Sequence, residues 1–117
     1  MLSTHDHLSV MGSKRQIQIS ETLAHLAADY FARESNRLAL ITITRADVSP
    51  DLKNVTIYFS VLPETYEQQV VHFARRSRTD FRNYIKDKAA MRFLPNIDFV
   101  LDLGEKNRQR IDDLTRN

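Results

Sequence analysis

Apolar residues recur along this chain at two periods, and the switches between them mark out its elements. Ile19, Leu23, Leu26, Ala27, Tyr30 and Phe31 fall at i, i+4, i+7, i+8, i+11 and i+12. That spacing is one face of an amphipathic helix. Ser20 and Glu21 suit its N-terminus, where a side-chain oxygen can accept a free backbone N–H and a carboxylate meets the positive dipole end. The stripe fades at Glu34-Ser35-Asn36, a turn-like cluster. The period then drops to two. Leu38 to Thr44 is rich in β-branched residues and predicts a strand. Pro50-Asp51 breaks it with turn chemistry. Val55, Ile57, Phe59 and Val61 alternate with Thr56, Tyr58, Ser60 and Leu62, a second strand that Pro63 ends. The short connection predicts an antiparallel pair.

Helical spacing returns from Glu64 to about Arg76, with Tyr66, Val70, Phe73 and Ala74 as its apolar face. Ser77-Arg78-Thr79 interrupts it. A third helix is predicted from about Asp80 to Met91, on Phe81, Tyr84, Ile85 and Ala89. Pro95 stops it and favours an extended Leu94. Ile97, Phe99 and Leu101 alternate with Asp98, Val100 and Asp102, a third strand. Gly104 turns the chain, and Glu105 to Leu114 reads as a short surface helix. Three strands covered on one face by helices, in the order α-β-β-α-α-β, make a two-layer α+β domain. Residues 16–114 form that single domain, 1–15 a flexible N-terminal leader, and 115–117 a tail.

Charge changes this picture in one place. His72 to Arg92 holds seven of the 17 basic residues (Arg75, Arg76, Arg78, Arg82, Lys86, Lys88, Arg92) against Asp80 and Asp87. The segment carries +5 and the rest of the chain −3, a contrast hidden by the total of +2. Aromatic and aliphatic residues are interleaved with those charges, so one helical face packs and the other stays cationic. A cationic face of this density attracts polyanions, nucleic acid above all. A solvated face that serves solubility is the ordinary alternative for such a run.

Composition removes several classes. Of 117 residues, 42% are hydrophobic, enough for a core and too many for a disordered chain. No cysteine is present, which excludes disulfides, thiolate nucleophiles and cysteine-based zinc sites and fits a reducing compartment. Only Gly12 and Gly104 are glycines, so no Gly-rich phosphate loop or dinucleotide fingerprint is possible. No apolar run approaches the roughly 20 residues of a membrane span. The N-terminus lacks the apolar core of a signal peptide, so a soluble cytoplasmic protein is expected. His5 and His7 in the leader do not make a metal site, which wants three or four ligands. His25, on or beside the first stripe, reads as a packing residue. The four histidines are scattered, and no Ser/His/Asp or paired-carboxylate spacing stands out. No enzyme, cofactor or metal is expected.

The element order is also that of the K-homology domain of the second type, a nucleic-acid-binding module. Three stretches resemble the ribosome-binding factor A family of bacterial small-subunit maturation factors. Ile41-Thr-Ile-Thr-Arg-Ala-Asp-Val-Ser-Pro-Asp-Leu52, continued by Val55 to Leu62, is similar to that family's first two strands and their linker. Met91-Arg-Phe-Leu-Pro-Asn-Ile-Asp-Phe99 is similar to its helix exit and third strand, and Asp102 through Leu114 to its terminal segment. The resemblance covers about residues 15–114. It implies a non-enzymatic factor that binds the small (30S) ribosomal subunit rather than the complete ribosome. It also implies a part in late processing of the 16S rRNA precursor and in growth in the cold. The family's fold lacks the GxxG loop that usually clamps a nucleic-acid backbone. Its second and third helices meet instead at an Ala-x-Gly kink, where this chain has Ser77-Arg78-Thr79, with neither alanine nor glycine. Two readings of that kink stay open: an ordinary backbone with Ser77 or Thr79 capping the third helix, or a match displaced by one residue.

Combined, these readings put rRNA on the basic face near the kink. Arg75, Arg76, Arg78 and Arg82 would hold phosphates by their planar forks, with Lys86, Lys88 and Arg92 extending the patch. Lys14 and Arg15 either add a second contact or are a solvated N-terminus. Arg45 is a candidate to reach the sheet surface from the first strand, and Tyr58 is either a base-stacking residue or simply packed. A monomer is adequate for this task, and no membrane partner is expected. A protein–protein or general RNA-binding module with another partner is the alternative function.

Overall fold

The computed structural model describes residues 13–34 and 38–104. Its elements are α1 (Lys14–Glu34), β1 (Leu40–Val48), β2 (Asn54–Leu62), a 3-10 turn at Glu64–Tyr66, α2 (Glu67–Arg76), α3 (Arg78–Lys88) and β3 (Asn96–Leu101). This is the expected α-β-β-α-α-β order. The expected terminal helix, Glu105 to Leu114, lies outside the described residues, as does the leader up to residue 12.

α1 begins at Lys14, inside the expected leader and about two turns before Ser20. Its start is a reciprocal cap. The Gln16 N–H donates to Ser13 Oγ at 3.1 Å, and the Ser13 N–H donates to Gln16 Oε1 at 2.8 Å, satisfying two otherwise orphaned backbone donors. Ser20 caps nothing; its hydroxyl donates back to the Ile17 carbonyl at 2.8 Å. The helix buries Leu23, Ala27, Tyr30 and Phe31, the predicted stripe. His25 is a correction: it is exposed, because it falls off that stripe.

The sheet order is β1-β2-β3. β1 and β2 are antiparallel, and β2 and β3 are parallel. A parallel pair needs a crossover, and α2 and α3 supply it. The central β2 buries Val55, Ile57, Phe59 and Val61. β1 runs on to Val48, past its expected end at Thr44. The reason is a shift of register: Ile43 pairs with Phe59, but Arg45 pairs with Tyr58, leaving Thr44 as the extra residue of a bulge. A bulge resets the alternation. Ala46 and Val48 thereby return to the core side, opposite Ile57 and Val55. The Thr44 hydroxyl donates to Asp102 Oδ2 at 2.6 Å, so the bulge is tied to the end of β3.

Aromatic rings join the two layers. Phe31 meets Tyr30, Phe59, Phe73 and Phe99 with centroids 5.1–6.4 Å apart. Tyr30 meets Phe81 and Tyr84 at 5.4 and 5.6 Å. Helix face and sheet face therefore close on one aromatic centre.

A candidate nucleic-acid interface

The junction between α2 and α3 is one residue. Only Ser77 lies outside the helices, and Arg78 and Thr79 already belong to α3. Ser77 has φ −89° and ψ 1°, an ordinary bridge conformation that needs no glycine. The side-chain cap considered for this junction is absent. The Ser77 hydroxyl instead donates to the Phe73 carbonyl at 2.7 Å, and its N–H is shared between the Phe73 and Ala74 carbonyls. The Tyr30 phenol on α1 lies against this hydroxyl. Burial pushes the Tyr30 pKa above its ordinary value, with the Ser77 contact acting in the opposite direction. Ser77 is therefore a buried polar residue where α2 and α3 meet α1.

Two basic surfaces, not one, grow from this frame. Arg78, Arg82 and Lys86 are at i, i+4 and i+8 on α3, one side of the helix. Arg78 Nε donates to the Arg75 carbonyl at 3.1 Å, which turns the Arg78 side chain back towards the end of α2. Arg78 also faces Asp98 on β3 at 3.9 Å, both side chains about half exposed. Such an exposed, long pair is weak and exchanges readily. Arg75, Arg78 and Lys86 are all exposed.

Arg82 has a different place from the one expected. Its Nε donates to the Pro95 carbonyl at 3.1 Å and its Nη2 to the Leu94 carbonyl at 3.3 Å. Its fork is used inside the molecule, holding the segment after α3. That return also explains why α3 stops at Lys88, short of the expected Met91. The chain must reverse for Leu94 and Pro95 to reach Arg82 in mid-helix, and Ala89 is already extended at φ −127° and ψ 138°.

Other predicted residues are dispersed. Arg76 lines a separate groove with Ala39, Ile41 and Tyr66. Lys88 and Arg33 lie 5.8 and 5.9 Å from the Tyr84 ring centroid, on the side of α3 that packs towards α1. Arg45 lies 4.0 Å from the Tyr58 centroid and 3.5 Å from Asp47. Hydrogen bonding to Tyr58 raises the Arg45 pKa further above its ordinary value. Tyr58 is half-buried on the outer face of the sheet, with that guanidinium over its ring. Lys14 is exposed at the start of α1.

Arg15 and Arg92, far apart in sequence, meet in the second surface. They line a cleft of about 850 Å³ between the start of α1, the β1–β2 turn and the α3–β3 segment. Lys53 and Phe93 line it too, and neither stands out in the sequence as a binding residue. Phe93 is 78% exposed. Its signal lies in the segment Met91-Arg-Phe-Leu-Pro, where an aromatic between a helix exit and a proline belongs to neither stripe. The turn itself is braced. Leu52 adopts φ 63°, a left-handed conformation unfavourable for leucine. Asp51 Oδ1 accepts from the Ser49 hydroxyl at 2.6 Å and the Lys53 N–H at 3.0 Å. Those bonds hold the Asp51 pKa below its ordinary value, the Ser49 hydroxyl first.

Among the described residues no group of three or more His, Cys, Asp or Glu is placed to hold a metal, and no helix is long and apolar enough to cross a membrane.

A model of the ribosome-binding factor A family matches residues 15–115. The chain belongs to that family. It is 31% identical over 110 residues to ribosome-binding factor A of Bradyrhizobium sp. strain BTAi1, an alignment covering 90% of this chain and 80% of the relative. The fold is that of the Thermus thermophilus factor in its crystal structure, with a TM-score of 0.65 at 17% identity over 74% of this chain and 94% of that one. A Thermus thermophilus family member fitted into the cryo-EM map of a 30S complex gives a TM-score of 0.60 at 23% identity, covering 69% of this chain and 88% of that one. Family membership and the α+β fold thus agree with the resemblance read from the three sequence stretches.

Proposed function

We propose that this chain is a non-enzymatic assembly factor that binds the small (30S) ribosomal subunit through rRNA. Its task is late maturation of the 16S rRNA precursor, with the greatest demand in the cold, and its compartment is the cytoplasm. The family match over residues 15–115 carries this reading, and the exposed cations Arg75, Arg78 and Lys86 about the α2–α3 junction and along α3 support it. The relative in the 30S complex is consistent with it. The parallel β2–β3 pair bridged by two helices works, in this reading, as a K-homology-like module without a GxxG loop. Phosphate contacts from the arginines and the lysine supply affinity and orientation, while the shape of folded rRNA supplies selectivity. Arg82 supports this surface from within.

The test is sedimentation of the purified protein with isolated small subunits and with complete ribosomes over a range of salt. Wild type should bind the small subunit selectively and lose affinity as salt rises. A triple Arg75→Gln, Arg78→Gln, Lys86→Gln variant, shown folded by circular dichroism, should bind more weakly. Its log–log salt slope should fall by about three, roughly one per lost phosphate contact. Wild type that ignores small subunits would overturn the assembly role and favour a module with another partner. Unchanged binding by the variant would move the rRNA surface away from the junction.

A further inference from the structure

The cleft between the start of α1, the β1–β2 turn and the α3–β3 segment joins three features that the junction surface lacks together. It is concave, it is cationic and it has an exposed aromatic ring. Arg15, Lys53 and Arg92 contribute three positive charges around it. The one carboxylate in its lining, Asp51, is engaged by the Ser49 hydroxyl and the Lys53 N–H. Phe93, 78% exposed, stands beside Arg92, whose guanidinium carbon lies 5.6 Å from the ring centroid.

The walls are tied to one another. Gln16 Nε2 donates to the Val48 carbonyl at 2.9 Å and fixes the start of α1 to the end of β1. The Asn96 N–H donates to the Lys53 carbonyl at 2.8 Å and fixes the β1–β2 turn to the start of β3. Arg82 holds Leu94 and Pro95, immediately after Phe93. An exposed phenylalanine on a braced segment presents its ring without losing much freedom on binding. Cations set around a flat apolar ring match a nucleotide, because a base offers a flat face to stack on the ring while its phosphates meet the cations.

We propose that this cleft takes an unpaired RNA nucleotide, its base stacked on Phe93 and its flanking phosphates held by Arg15, Lys53 and Arg92. A duplex does not fit this role, since its bases are already stacked on one another. The proposal rests on the rRNA-binding reading for the source of the strand. It adds a single-strand contact remote from the α2–α3 junction and gives Arg82 the role of a positioning residue.

The chain contains no tryptophan, so a Phe93→Trp variant places a single, selectively excitable tryptophan in the cleft and keeps an aromatic face. Its emission is followed as three probes are added: a mixed-sequence single-stranded RNA of about ten nucleotides, within the usual site sizes for single strands, the same RNA annealed to its complement, and heparin as a polyanion without bases. Single-stranded RNA should quench the emission, with little response to the duplex or to heparin. Phe93→Ala should bind the single strand about tenfold more weakly, within the range of one base–aromatic stack, and Phe93→Trp should bind like wild type. Equal responses to heparin and RNA, or no response to single-stranded RNA, would overturn the stacking site. An equal response to polyglutamate would reassign the cleft to an acidic protein. Sedimentation with small subunits separates the two levels. Wild-type subunit binding with a silent tryptophan would sink the cleft and leave the assembly role. RNA quenching without subunit binding would do the reverse.

Discussion

Arg82 shows how one side chain changes meaning between sequence and structure. In sequence it belongs to a run with Arg75, Arg76 and Arg78, and a phosphate contact is the natural assignment. In the fold its two N–H groups satisfy the Leu94 and Pro95 carbonyls. Hydrogen bonds from a charged donor contribute about 1.5–3 kcal/mol each when a partner would otherwise lie unpaired. These bonds are only partly buried, and water can replace some of that. Arg82→Met should therefore lower unfolding free energy by about 1–3 kcal/mol in urea titrations. Arg82→Lys should recover little of it, because an ammonium lacks the fork that spans two carbonyls. Full recovery of stability by lysine would return Arg82 to the set of simple surface cations. His25 departs in the opposite direction. Its place beside the stripe suggests packing, yet it is exposed, and nothing in its immediate neighbours signals which edge of the stripe it falls on.

At the scale of elements, the periodicities locate every helix and strand found within the described residues, and the errors concentrate at ends. The stripe puts the start of α1 too late because a capping box outside it begins the helix, and an apolar pattern carries no information about caps. It ends β1 too early because the bulge at Thr44 breaks the alternation, so that Ala46 and Val48 look out of phase. The α2–α3 junction reads as three residues and is one. Its geometry rests on Ser77, which donates to the Phe73 carbonyl and lies against the Tyr30 phenol. Ser77→Ala should keep both helices, since φ −89° is open to alanine. It should cost about 1–2 kcal/mol by removing the polar contact with the Tyr30 phenol. Chemical denaturation measures the loss; a second substitution, Tyr30→Phe, should make Ser77→Ala nearly neutral. Additive losses in that double mutant would show that the two side chains do not act as a pair.

At the scale of the whole molecule, one aromatic cluster carries the contact between layers. Phe31 touches rings from α1, β2, α2 and β3 and is 2% exposed. Truncation to alanine should cost about 3–5 kcal/mol, a large share of a small domain's typical total. The thermal unfolding midpoint should fall by more than about 10 °C. A small shift would mean that α1 is not held by this cluster. Charge is organised separately from the core. The junction surface and the cleft flank the α3–β3 segment that Arg82 fastens, so loss of that anchor should weaken RNA binding through the cleft as well as stability.

The order and approximate extent of the elements are written along the chain itself. The helical and two-residue periods named the helices, the strands and the residues of the core. The glycine and cysteine counts removed whole chemistries. Three ordered stretches pointed to the family. Which distant residues share a surface depends on how the chain folds back on itself. Arg15, Lys53, Arg92 and Phe93 come from three separate parts of the chain, and no spacing links them. Arg76 and Lys88 leave the basic run because α2 and α3 turn different sides towards β1 and α1. The charge of a segment is a sum along the chain. A binding surface is a sum over space, and the register of β2 with β1 and β3, together with a single serine between two helices, fixes which charges that space contains.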